Sequence, residues 1–367
     1  MKKALVLAIV AGAASVAAAQ QLGYTVVYTD QISDSIGKIE SVGVTNTLVN
    51  FGASDRLAWL FQGPNSDWYV ANGPSPVGNP SDSKIQRVTG LFSGAATVTT
   101  LASNDPLQNP VGIIYDSASN DIITLQNPAG PVAQGKRDGI SRVNFNTGAV
   151  TMVYDEPSIF TTPRPRYEAG HHIVRDNTAG SSNYIISCVN GGVFTAGTNT
   201  DPDASTLWYF DASTNTPTLL ADLSGSLAGG GSITRLTGIT AIAGDNDLFA
   251  ADTLLPNGAG AIYRIVRDDV TGAVTAVNLV LGGLTQPEQL LYNPYNNTIL
   301  VGERGNYDGI SGDPAQTARI FEMNLDGSNV RTLATGVFAR GLAVIPAPGT
   351  LAMVGLAGLA AARRRRA

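Results

Sequence analysis

Apolar and polar residues alternate along this chain in short runs, and the runs recur in a constant order. Six stretches set the pattern: residues 25–28, 68–71, 122–125, 184–187, 248–251 and 298–301. Each is short, rich in β-branched and aromatic residues and bounded by turn formers, which is how a buried strand is written in sequence. In most cases a loop follows, and then two alternating stretches around a turn: 140–145 with 149–154, 207–210 with 218–220, 261–266 with 274–280, and 319–325 with 329–333. Period-two alternation across Gly, Asn or Asp predicts a β-hairpin.

A second repeat lies just ahead of these runs. Pro110, Val111, Gly112, Ile113, Ile114, Tyr115 and Asp116 match Pro287, Glu288, Gln289, Leu290, Leu291, Tyr292 and Asn293 in the leading proline and the closing apolar, aromatic and polar residues. Both blocks pass through a polar turn into one of the six runs. The unit is therefore four strands, and six units predict an all-β fold, a six-bladed β-propeller. The first unit lacks its opening strand. Arg340, Gly341, Leu342, Ala343, Val344 and Ile345 repeat that strand's pattern after the sixth unit has ended. Pairing this last strand with the first blade would close the ring and cover sheet edges that otherwise invite aggregation.

Residues 320–336, IFEMNLDGSNVRTLATG, resemble the YWTD and NHL classes of six-bladed propeller, in which a Leu-Asp-Gly-Ser-Asn turn joins the outer two strands. The match covers one blade well and the others loosely.

The two ends carry a different message. Lys2 and Lys3 precede an apolar run, residues 4–16, and Ala17, Ala18 and Ala19 supply small residues for cleavage, so residues 1–19 are expected to be a signal peptide removed by signal peptidase. At the other end Pro346, Ala347, Pro348 and Gly349 lead into apolar residues 351–362 and then Arg363, Arg364, Arg365 and Arg366. As a helix, residues 349–362 would span about 21 Å, short of the roughly 30 Å hydrocarbon core of a bilayer. The arginines would hold that end on the cytoplasmic side.

This order of breaker, apolar helix and arginine cluster resembles the PEP-CTERM sorting signal, with Ala347 where that family has Glu. The resemblance implies processing by an exosortase-type enzyme, an inner-membrane intermediate, and delivery to the cell surface, outer membrane or extracellular matrix. A short membrane anchor is the other reading of the tail. The domain plan is a signal peptide at 1–19, a propeller at 20–345 and a sorting or anchor segment at 346–367.

Loss of both ends removes Lys2, Lys3 and Arg363 to Arg366, taking Lys plus Arg from 23 to 17 against 29 Asp plus Glu, and the net charge from −6 to −12. An acidic body argues against nucleic-acid binding, which needs clustered cations. The single cysteine, Cys188, follows the fourth run directly; it forms no intramolecular disulfide and is expected as a buried thiol. There is no Walker loop, no nucleotide-binding glycine fingerprint after a strand, and no zinc spacing.

Successive strands of a blade run in opposite directions, so the connections between second and third strands all fall on one face. These are the long ones: residues 72–83, 127–138, 190–204, 252–260 and 304–316. Insertions gathered on one side of a repeat array mark its working surface. Two groups of side chains would ring the channel mouth there: Arg56, Asn109, Glu168, Arg235, Glu288 and Arg340 at the start of the inner strands, and Asp30, Asn72, Gln126, Asn190, Asp252 and Glu303 at the end of the second strands. Such a ring binds a polar ligand or a hard cation such as calcium, or it caps loops and hydrates the channel.

Glu168, Asn190 and Asp252 loosely resemble the carboxylate, Asn and Asp set of gluconolactonase-like propeller hydrolases. That likeness implies a calcium-dependent lactonase or esterase-like hydrolase as the alternative to the expected function, a binding or scaffold module of the envelope or matrix.

His171 and His172 are the only histidines. Neighbours on a regular strand face opposite sides, so they form no ligand pair, and one is expected between blades with a satisfied ring nitrogen. Gly225, Gly229, Gly230 and Gly231 are expected in a flexible connection before Ile233. Asp201 with Asp203, Asp245 with Asp247, and Asp268 with Asp269 are expected at turns, where Asp accepts local backbone N–H groups.

Overall fold

The computed structural model describes residues 20–52, 56–73, 83–103, 107–126, 139–155, 170–178, 181–189, 205–223, 233–253, 259–305 and 317–347. Glu168, Asn190, Asp201, Asp203, residues 225–231, Pro348 and Arg363 to Arg366 lie outside these, as do the signal peptide and most of the long connections.

The described residues form six antiparallel sheets of four strands. Blade one is β24 (Ala339–Pro346), β1 (Gln21–Asp30), β2 (Ser35–Ser41) and β3 (Val44–Asn50). Blade two is β4 (Arg56–Gln62), β5 (Trp68–Gly73), β6 (Lys84–Thr89) and β7 (Thr97–Ser103). Blade three runs through β8 (Pro110–Asp116), β9 (Asp121–Gln126), β10 (Gly139–Asn144) and β11 (Val150–Asp155). Blade four holds β12 (Gly170–Arg175), β13 (Tyr184–Val189), β14 (Ser205–Asp211) and β15 (Thr216–Asp222). Blade five holds β16 (Leu236–Ala241), β17 (Leu248–Asp252), β18 (Gly260–Arg267) and β19 (Val274–Leu284). Blade six holds β20 (Pro287–Asn293), β21 (Thr298–Glu303), β22 (Arg319–Asn324) and β23 (Arg331–Thr335).

The six-bladed ring and its closure agree with the sequence. Each of the six runs is a second strand, and β24 pairs with β1 from Tyr24 opposite Pro346 to Asp30 opposite Ala339. Pro346, taken from the sequence as the first residue of the sorting segment, is the last residue of this closing strand. An innermost strand has a free edge, where the missing N–H of proline is tolerated. Cys188 lies within β13 and not after it, and is fully buried.

The core is an annulus between sheets. Tyr24, Val26 and Leu342 of blade one meet Leu300, Ile320 and Leu333 of blade six. Ile185 and Leu207 of blade four meet Ile239, Leu248 and Ile265 of blade five. A second strand is therefore buried on both faces, which is why these runs read as nearly continuous apolar stretches. Outer strands such as β3 and β7 are mostly exposed.

Polar turns fix the registers. In the two repeat blocks Asn120 (φ 59°) and Asn297 (φ 56°) hold the left-handed position between first and second strands, a conformation asparagine tolerates. Buried acids at this end clasp neighbouring blades. Asp116 Oδ1 accepts the Tyr184 hydroxyl of the next blade at 3.0 Å, while its Oδ2 accepts Arg142 at 2.9 Å. Arg267 of blade five donates to Asp176 of blade four at 3.0 Å.

Candidate functional site

Every inner strand breaks register at one level. The ladder skips from Leu57 to Leu60, Pro110 to Ile113, Gly170 to His172, Leu236 to Ile239, Pro287 to Gln289 and Ala339 to Gly341. Each is a β-bulge, which adds a residue and re-aims a side chain. The first residue inside each bulge thus falls on one level: Ala58, Val111, His171, Thr237, Glu288 and Arg340.

The next residue alternates between glycine and a large side chain around the ring: Gly341, Trp59, Gly112, His172, Gly238 and Gln289. The reason is close approach. A Cβ on Gly341 would lie 2.8 Å from the Ala58 carbonyl oxygen, one on Gly238 2.5 Å from that of Glu288, and one on Gly112 3.1 Å from that of His171. Small and large residues alternate so that six strands can close on a narrow axis.

A buried charge cluster results. Arg340 Nη2 donates to Glu288 Oε1 at 2.9 Å and lies 3.4 Å from His171 Nε2, reaching from blade one to the opposite blade four. Arg304 Nη1 lies 3.9 Å from Glu288 Oε2, and His171 Nε2 lies 3.7 Å from Oε1. The Arg340 guanidinium sits 5.7 Å from the centre of the Trp59 ring, and both histidine rings lie 5.0 Å from Trp59. Burial raises the Glu288 carboxyl, but Arg340, Arg304, His171 and Arg235 outweigh it and hold the group down at about 2. Burial brings Arg235 down to about 10.

The sequence-predicted candidates therefore separate. Glu288 and Arg340 come together at the bulge level. Arg235 lies two residues earlier in its strand's approach but acts electrostatically on both. Asn109 also lies two residues before its bulge residue. Four of the second group, Asp30, Gln126, Asp252 and Glu303, staple the chain entering an inner strand. Asp252 accepts the N–H groups of Thr234 at 3.1 Å and Arg235 at 2.8 Å. Glu303 accepts the N–H of Thr285 and pairs with Arg319. Gln126 accepts from Gln108 at 2.5 Å, and Asp30 from Phe338 at 3.2 Å. Asn72 donates to Gln86 at 3.0 Å. In blade four the residue at this level is Cys188, opposite Gly170, and not Asn190.

The described residues do not fit a calcium ion. Asp252 already accepts two backbone N–H groups, Glu303 holds an arginine, and Glu288 faces guanidinium groups that would repel a cation. Among the described residues no three His, Cys, Asp or Glu side chains are placed to hold a metal.

His171 is the residue that sequence reasoning missed. The bulge breaks the strand alternation on which the two-face expectation rested, so both rings gather around Trp59. His172 meets the other expectation, since its Nδ1 accepts the Ile239 N–H of blade five at 3.0 Å. Burial drives both imidazoles down to about 3. Unfolded histidine takes its proton near 6.5. Their contribution is thus intact above about 6.5 and is lost as the pH falls toward about 3, by roughly 2 kcal/mol per histidine between pH 6.5 and 5. Urea melts of H171Q and H172Q should show a flatter stability profile between pH 5 and 6.5; an unchanged slope in both would refute the buried neutral state.

Past Trp59, His172 and Gln289 the channel continues toward the short-turn face as a cavity of about 500 Å³. Its walls include Ile113, Ile173, Leu290 and Leu342. The charged cluster and this apolar cavity are two ends of one axis.

No protein-family model matches the chain, and no curated protein does. Solved structures share its fold. The Nidogen/Laminin complex matches at TM-score 0.59 with 13% identity over 88% of this chain and 98% of that one. A luciferin-regenerating enzyme matches at 0.54 with 12% identity over 86% and 92%, and the periplasmic gluconolactonase PpgL of Pseudomonas aeruginosa at 0.54 with 12% over 89% and 99%. The chain is a six-bladed propeller like these, and at such identity the likeness extends to the fold alone.

Proposed function

We propose that this chain is an exported, surface-sorted binding module of the cell envelope or extracellular matrix, whose ligand meets the channel mouth on the long-connection face. The observation that carries this reading is the commitment of the acidic groups. Glu288 is spent on guanidinium groups, and Asp252 and Glu303 on loop closure, so among the described residues the mouth presents donors for recognition and no open carboxylate set for metal-assisted hydrolysis. Export and sorting rest on the terminal signals, residues 1–19 and 346–367.

The competing reading is a calcium-dependent lactonase or esterase-like hydrolase; a gluconolactonase is among the solved structures that share this fold. One sample separates the two. Protein recovered from the cell surface should carry no stoichiometric calcium and turn over neither lactones nor aryl esters with calcium added. Turnover that disappears in D252N or E168Q would establish the hydrolase. The intact mass of the same sample reports whether Arg363 to Arg366 are removed, as sorting requires, or retained, as a simple anchor requires.

A further inference from the structure

We propose that the channel mouth is a receptor for an oxyanion, the carboxylate or phosphate group of a small ligand, held by Arg340 with Arg304 and Arg235. The inference rests on the binding reading above and names the ligand chemistry of that site.

The first support is charge. The chain is acidic overall, yet at this point three guanidinium groups act on the buried Glu288 carboxylate, and Asp252, which acts on Arg235, is the second carboxylate near them. His171 adds no charge of its own, because burial keeps it neutral. Arg340 and Arg304 are also within reach of the mouth, with 17% and 19% of their side chains exposed, whereas Glu288 is at 5% beneath them. Glu288 thus orients the arginines from below. A guanidinium fork directed outward matches an oxyanion by paired, charge-assisted hydrogen bonds.

The second support is a set of buried donors without partners. Arg340 Nε, Trp59 Nε1 and His171 Nδ1 are buried and have no partner. With Nε2 of His171 accepting from Arg340, its proton sits on Nδ1. All three are therefore donors. On the acceptor side Glu288 Oε2 and Gln289 Oε1, with Gln286 Oε1 at the entry to β20, lack a hydrogen bond. Buried donors without acceptors are costly, and a cluster with open donors and an excess of positive charge is relieved by an anion and not by a metal ion.

The test is titration of the whole exported protein, followed by the fluorescence of Trp59 and by calorimetry, with inorganic phosphate, sulfate and glucuronate as separate probes. Saturable binding of at least one probe is expected, weakening as sodium chloride is raised. R340Q and R304Q should each weaken it by about tenfold or more, while R87Q, which removes an equal charge from the exposed Asp67 pair, should leave it unchanged. Phosphate preference assigns a phosphoester ligand, and glucuronate preference a carboxylated one. Thermal melts check that each variant is folded, and R235Q carries the test if R340Q is not.

Flat titrations of all three probes to about 10 mM, or wild-type binding by folded R340Q and R304Q, overturn the proposal. Flat titrations without turnover leave the binding-module reading standing. Calcium-dependent turnover removes that reading whatever the anions do.

Discussion

A chain ending at Phe338 is expected to lose cooperative folding. Such a chain lacks β24, and with it the partner of β1 along seven residue pairs. It also lacks Leu342 and Ala339, which pack in the cluster that joins blades six and one. Burying one leucine contributes about 1.5–3 kcal/mol, and a whole domain holds only about 5–15 kcal/mol in hand. The missing strand also opens the ring beside blade two, since Gly341 packs on Ala58 and Leu60. Thermal and urea melts should show no sharp transition, and the exposed edge of β1 should promote aggregation. A peptide of residues 339–346 added in trans should restore the transition by strand addition. G341V tests the same closure without shortening the chain, because its Cβ has no room beside the Ala58 carbonyl. A truncated chain that melts cooperatively within a few degrees of the full one would show that β24 is not the closing element.

The blade plan was legible because buried second strands leave a compact apolar signature. Residues 122–125 and 298–301 sit inside β9 and β21, and the blocks beginning at Pro110 and Pro287 are β8 and β20. Repetition reinforced each reading, and the closing strand was visible as a sixth copy of the inner-strand pattern, the copy that the first unit lacks. What stayed hidden is the bulge. One added residue per inner strand moves the inward position without leaving a mark in hydrophobicity, so Arg235 and Asn109 were grouped with Glu288 and Arg340 although they lie two residues earlier. The same slip concealed His171.

The glycine and large-residue alternation, Gly341, Trp59, Gly112, His172, Gly238, Gln289, was present in the sequence as a signal. It becomes interpretable only once strands are aligned at the bulge. The staples were hidden for a different reason. Asp252 and Glu303 carry the residue types of a metal site, and only the backbone N–H groups of Thr234, Arg235 and Thr285 show that their oxygens are already engaged.

The seam that β24 closes has a second lock, and its removal is the other large effect expected. Glu322, only 4% exposed, accepts from four donors on Oε1: the Tyr24 hydroxyl at 2.7 Å, Thr298 at 2.6 Å, Asn293 at 3.2 Å and Asn296 at 3.3 Å. Its Oε2 accepts from Arg331 at 2.5 Å. Tyr24 belongs to blade one and the others to blade six, so one carboxylate ties the first blade to the last. E322A leaves the buried hydroxyls and amides without an acceptor, while Arg331, one-third exposed, can turn to water.

The expected cost of E322A is therefore about 3 kcal/mol, at the lower end for a broken buried ion pair, and roughly 4 °C in Tm for a domain of this size. Y24F, which removes one hydroxyl and leaves the acid paired, should cost about 1 kcal/mol, and the double variant should cost less than the two summed. Burial raises the Glu322 carboxyl, and its bonds from Thr298, Tyr24 and Arg331 bring it below its ordinary value. Its contribution is thus intact above the unfolded value of about 4.3 and lost as the pH falls through the folded one. The gap between wild type and E322A should narrow as the pH drops below about 4. A gap that stays constant from neutral pH to the acid transition would mean that Glu322 acts through packing and not through its charge.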